Sequence, residues 1–191
     1  MELLAGGSGE GERLRAAAAG DADAVRWLLD DVAPVVYGFI HARVGGDEPA
    51  AADLLQETLL EAMRSAPGFR GEAAVSTWIC AIARHRLARH YERERRQEVA
   101  RRGLTVLHGD GGDDLPDPTD DLVAVDRRDE VVRALGALIP QHRQVLVLKY
   151  LDGCSVEEIA EQLGKGRVQV QSLLQRARAA LKRNLDGATD G

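Results

Sequence analysis

Residues 155–181 read SVEEIAEQLGKGRVQVQSLLQRARAAL, and local signals divide them into two helices and a turn. Ser155 stands three residues before Glu158, the spacing at which a hydroxyl and a carboxylate each satisfy a backbone N–H at a helix start. Ile159, Ala160 and Leu163 mark the inward side of a short helix, and Gly164 to Gly166 predicts a tight turn. From Arg167 a longer helix carries Val170, Leu174, Ala177 and Leu181 at steps of four, three and four residues, which is the period of one buried stripe. A short helix, a glycine-containing turn and a second basic helix match the helix-turn-helix, whose second helix enters the major groove of DNA.

With that stripe turned inward, Gln171, Ser172, Gln175 and Arg176 point outward, and Arg167 lies at the helix start. Glutamine can pair bidentately with adenine and arginine with guanine. Arg178, with Lys165, Lys182 and Arg183, suits phosphate contacts. No acid occurs from Lys165 to Asn184, whereas ordinary surface helices mix both signs.

Working back toward the N-terminus, Val132, Leu135, Leu138 and Ile139 form an apolar pattern, and Pro140 opens a helix with Val145, Leu146, Leu148 and Leu151. Residues 126–185 are therefore expected to form one small domain and residues 186–191 a disordered tail. Residues 109–121, GDGGDDLPDPTDD, have the composition of a tether, so 100–125 reads as a flexible acidic linker. Upstream, helical periodicity runs over residues 12–99, a second small domain broken at 45–49 and 67–71. Asp47 or Asp53 could cap its middle helix, along which Leu54, Leu55, Thr58, Leu59, Ala62 and Met63 recur. Residues 1–11 are Gly-rich and expected to be disordered.

The fold class is all-α, two small helical domains joined by the linker. The chain is 45% hydrophobic but only 4% aromatic, so the cores must be aliphatic, and its Ala, Leu, Arg and Glu favour helix. A net charge of −6 would oppose nucleic-acid binding if evenly spread, but it is not. Eight arginines fall within residues 84–102 and nine acids within 110–130, so two basic segments flank an acidic one. On the basic helix from about Val75, Trp78, Ile79, Ile82, Ala83 and Leu87 form the apolar side; Trp78 reads as core, and His85 and His90 as DNA-facing.

Cys80 and Cys154 lie in apolar helical patterns without metal-ligand spacing and read as buried thiols. No cofactor, metal site or small-molecule substrate is expected. No nucleophile beside a base and no phosphate-cradling glycine loop appears, so the chain is not expected to be an enzyme. It has neither a membrane-spanning run nor a secretory leader and is expected to be cytoplasmic, without membrane insertion. Only Lys149, Lys165 and Lys182 stand beside abundant Arg and Ala, a bias that points to a high-GC bacterium such as an actinomycete.

Three segments together resemble regions two and four of extracytoplasmic-function (group 4, sigma-70 family) sigma factors of RNA polymerase. They are ADLLQETLLEAM (52–63), FRGEAAVSTWICAIARHRLARHYERERR (69–96) and LIPQHRQVLVLKYLDGCSVEEIAEQLGKGRVQVQSLLQRARAAL (138–181). The resemblance implies a core-polymerase interface, to the beta-prime clamp helices and beta flap, with Asp53, Gln56, Glu57 and Thr58 on the docking helix. It implies capture of an extruded minus-ten base by Arg70, Gly71, Glu72, Ala73 and Ala74, with His85 and Arg89 following the strand and nearby duplex. It implies minus-thirty-five recognition by Arg167, Gln171, Ser172, Gln175, Arg176 and Arg178, and an anti-sigma factor as a further partner.

The chain departs from its relatives, which commonly carry a basic residue at Gln171 and Leu173, an aromatic or His at Gln175, Ser at Gly166, a small residue at Val168 and Phe at Leu59. An altered minus-thirty-five preference is expected. Two other readings fit the same residues: a free-standing helix-turn-helix regulator binding an operator as a dimer, and a helical adaptor that binds only protein.

Overall fold

The computed structural model describes residues 6–102 and 125–189, and among these every regular element is helical. The chain divides into two compact units, Met1–His90 and Tyr91–Gly191. The first contains α1 (Gly6–Ala18), α2 (Ala22–Trp27), α3 (Ala33–Arg43), α4 (Glu48–Ser65) and the start of α5 (Val75–Arg102). The second contains the rest of α5, α6 (Val125–Gly136), α7 (Pro140–Leu146), α8 (Val156–Leu163) and α9 (Arg167–Thr189).

In the first unit the helices bury aliphatic faces against one another: Leu14 from α1, Val36 and Ile40 from α3, Leu54 and Ala62 from α4. α5 adds Val75, Ile79, Ala83 and Leu87, one residue every four. Four-residue steps drift by about 40° each on a 3.6-residue helix, so this stripe winds around α5. Asp47, one of the two predicted caps, accepts the Ala50 N–H at 2.9 Å and starts α4.

Three predicted boundaries differ from the structure. Residues 6–11, expected to be disordered, begin α1, because tertiary contacts outweigh their glycine content. Gly11 lies so close to the Phe69 ring that a Cβ there would meet ring carbons at 3.1 and 3.2 Å, and the Glu10 carboxylate accepts the Val75 N–H at 2.9 Å. Residues 186–189, expected in the tail, continue α9. The division between units falls inside α5, between His90 and Tyr91, rather than at the acidic segment. The predicted tether at 103–124 lies outside the described residues.

The second unit's core joins Leu135 of α6, Val145 of α7, Ile159 of α8 and Val170, Leu174 and Ala177 of α9. Leu173 is buried with them, which widens the predicted stripe of α9, while Leu181 is only partly covered. Beside this core Arg143, only 6% exposed, gives two hydrogen bonds to Glu94 of α5 at 2.7 and 2.8 Å. A charge so removed from water needs that carboxylate, since desolvation without a partner costs several kcal/mol, on the order of 3–5 when the pair is broken.

Candidate nucleic-acid interface

The predicted turn between two helices forms as its sequence dictates. Ser155 Oγ accepts the Glu158 N–H at 3.2 Å while Glu158 accepts the Ser155 N–H at 2.8 Å, closing the capping box. These bonds, the backbone N–H foremost and then the hydroxyl, hold the Glu158 carboxyl below its ordinary pKa. Gly164 ends α8 in the left-handed conformation (φ 60°, ψ 37°), and the Lys165 N–H reaches the Ala160 carbonyl at 2.9 Å. Only glycine takes that conformation without a steric cost. α9 then begins, tied to the core by its buried stripe and, near its far end, by Asn184 Nδ2 donating to the Ala134 carbonyl at 3.1 Å.

This anchoring leaves an outer face on α9. Gln171 and Arg176 are exposed, as the stripe predicts, whereas Ser172 and Gln175, also expected to point outward, are half-buried because buried Leu173 widens the inward face. Arg176 Nε donates to the Ser172 carbonyl at 3.3 Å, which lays the guanidinium along the helix. Two predicted contacts are engaged within the protein. Arg167 pairs with Glu157 of α8 at 2.7 Å, and Arg178 Nε donates to the Tyr150 hydroxyl at 2.6 Å with its guanidinium 5.7 Å from that ring's centre. Glu157 and Tyr150 are partners of these arginines that the spacing within α9 could not reveal.

In the first unit, the segment between Phe69 and Val75 presents Arg70, Glu72, Ala73 and Ala74 to solvent, with Gly71 at φ 73° making the bend. Both ends of this loop are fixed by α1, through Gly11 on Phe69 and Glu10 on the Val75 N–H. Phe69 also meets Trp78 with ring centres 5.2 Å apart, which supports the core reading of Trp78. His85 and Arg89 are exposed on α5, His85 about 15 Å along the axis from Val75 at 1.5 Å per residue. His90, read as DNA-facing, is instead buried.

Of the residues expected on the α4 docking surface, Asp53, Gln56 and Glu57 are exposed. Glu57 and Glu61 flank Arg86 of α5, at 3.5 and 3.1 Å. Thr58 does not belong to this surface. It is 0% exposed, and its hydroxyl donates to the Leu54 carbonyl at 2.6 Å, so it serves the helix interior. Cys80 and Cys154, read as buried thiols, are half-buried; partial burial raises the Cys80 thiol pKa against the opposing charges of Arg43 and Arg84. No described helix is long and apolar enough to cross a membrane.

Family models place these surfaces among known proteins. A model described as Sigma-70, region 4 matches residues 128–181, and one described as Sigma-70 region 2 matches residues 28–97. The chain is 32% identical over 175 residues to the ECF RNA polymerase sigma factor BldN of Streptomyces coelicolor, covering 91% of this chain and 65% of BldN. It is 32% identical to the RNA polymerase sigma factor YlaC of Bacillus subtilis, covering 71% of this chain and 77% of YlaC. With the ECF RNA polymerase sigma factor SigL of Mycobacterium tuberculosis it shares 33% identity over 91% of this chain and 95% of SigL. Among solved structures, the sigma factor RpoE in complex with the anti-sigma factor NepR from Bartonella quintana is similar over 86% of this chain and 97% of that one, at 24% identity. Its TM-score of 0.46 is too low to add to the sequence matches.

Proposed function

Since the chain belongs to the sigma-70 family, in its extracytoplasmic-function branch, we propose that it is a promoter-specificity subunit of bacterial RNA polymerase, acting in the cytoplasm as an alternative sigma factor. The observation that carries this reading is the acid-free outer face of α9 behind its helix-turn-helix, on a chain whose other unit matches region 2. The exposed face of α4, with Asp53, Gln56 and Glu57, docks on the polymerase clamp helices, and the second unit engages the beta flap. The loop Arg70, Gly71, Glu72, Ala73 and Ala74 captures an unstacked minus-ten base, for which small side chains leave room. His85 and Arg89 follow the strand beyond it by phosphate contacts.

In the same reading, Gln171, Ser172, Gln175 and Arg176 meet base edges of the minus-thirty-five element. Arg167 and Arg178, steadied by Glu157 and Tyr150, meet phosphates. Neither unit performs a chemical step; the polymerase does. An anti-sigma factor that covers these surfaces is the regulatory partner expected of the branch.

The test is transcription in vitro with purified core polymerase and this protein over a pool of genomic fragments, with start sites mapped. Discrete starts that share a pair of upstream elements are the expected result. Folded protein that gives core polymerase no promoter selectivity would sink the proposal and favour the operator-binding regulator.

A further inference from the structure

Val168 is the most exposed of the described large hydrophobic residues, at 78%. It is the second residue of α9 and lies about 160° around the helix from buried Val170, on the same outer stripe as Ser172 and Gln175. A β-branched side chain in that position adds nothing to the core and loses rotamer freedom, so folding alone gives no reason for valine there.

Its neighbours in the first turn are engaged inside the protein. Arg167 pairs with Glu157 at 2.7 Å, and Gln169 Oε1 accepts the Gly166 N–H at 3.0 Å. Val168 is thus the side chain that the first turn of α9 projects from its outer face. In a helix-turn-helix, the first residues of the second helix are the ones that reach base edges. Among those edges the apolar feature is the 5-methyl group of thymine, which distinguishes it from every other base in the major groove.

We propose that Val168 is a specificity-determining residue that reads one thymine of the upstream promoter element through its 5-methyl group. This rests on the reading of α9 as the helix that enters that element. The contact takes one methyl group out of water, which corresponds to about a four-fold preference for thymine over uracil. Ser172 and Gln175, farther along the stripe, contact the bases beside it.

The test uses the full-length protein with core polymerase on a promoter recovered by start-site mapping. Each thymine of the upstream element, on either strand, is replaced singly by deoxyuridine, which deletes only the methyl. Promoter occupancy is expected to fall about four-fold at one position. Val168→Ala should erase that difference and leave the response at other positions intact; the side chain is exposed, and melting of the variant checks its fold. Insensitivity to uracil everywhere, an element without thymine, or a Val168→Ala protein with unchanged sensitivity overturns the proposal. Scrambling the whole element separates the two levels. If occupancy survives scrambling, the placement of α9 fails as well; if it does not survive and uracil is silent, only the assignment of Val168 fails.

Discussion

α5 and α9 are both rich in arginine, yet they hold their charge in different ways. On α5 Arg86, Arg95 and Arg96, among its eight arginines, meet acids: Glu92 accepts from Arg95 at 2.8 Å and from Arg96 at 3.0 Å, and Arg86 reaches Glu57 and Glu61 of α4. On α9 no acid follows Arg167 until Asp186, and the ion pair described for it runs from that first residue to Glu157 of α8. Charge paired in this way orients side chains and is less available to phosphate. Charge left uncancelled attracts phosphate and releases counterions from it. The paired arginines of α5 should therefore contribute less to salt-dependent affinity than the cations of α9 that follow Arg167.

The sharpest way to break this contrast is charge reversal. Arg176→Glu removes the cation proposed to read a base and places like charge against DNA, so promoter-selective transcription should fall by about a thousand-fold. Arg95→Glu, on an exposed pair of α5, should cost no more than about three-fold. Equal losses in the same transcription assay would erase the distinction.

A second variant probes the pairing itself. Arg143→Ala removes the guanidinium that holds Glu94, and because Glu94 is partly solvated the second unit should lose about 2–3 kcal/mol, somewhat below the range for fully buried pairs. Denaturant unfolding of the full chain reads this, and a loss below about 0.5 kcal/mol would place the pair with ordinary surface bridges.

The support beneath α9 is tested at Ser155. Ser155→Ala should cost about 1 kcal/mol of second-unit stability at neutral pH. The folded Glu158 carboxyl is depressed below its ordinary value of 4.5, so its share of the capping box is full above that pH and fades as pH falls through the lower folded value. The gap between wild type and Ser155→Ala should narrow with acid, and a gap that widened in acid melts would contradict the sign.

The smallest effect separates the helices most directly. Arg183→Gln on α9 should reduce the slope of log affinity against log salt by about 0.9, while Arg96→Gln on α5 should leave it unchanged. Promoter binding measured at several salt concentrations decides between this and a uniform loss.

Legibility followed the distance between partners. Ser155 and Glu158, Gly164, Pro140 and Asp47 each act within about one turn of chain, so their spacing predicts the element they start or stop. The outward set Gln171, Ser172, Gln175 and Arg176 followed from the same periodicity. Glu10 with Val75, Glu94 with Arg143 and Tyr150 with Arg178 lie 65, 49 and 28 residues apart, and no local pattern links them. Thr58 shows a different failure. Its spacing from Leu54 and Ala62 already placed it inward, but the family resemblance put it on the docking surface, and the bond to the Leu54 carbonyl accounts for its hydroxyl instead. The Gly-rich start misled for the opposite reason, since glycine there permits close packing on Phe69.

The Glu10 carboxylate on the Val75 N–H and Gly11 against the Phe69 ring both lie outside the two family matches, the first of which opens at residue 28. The foot of α5 and the loop before it are thus held by residues that the family pattern does not include, and a change there would loosen the loop while leaving both matches intact.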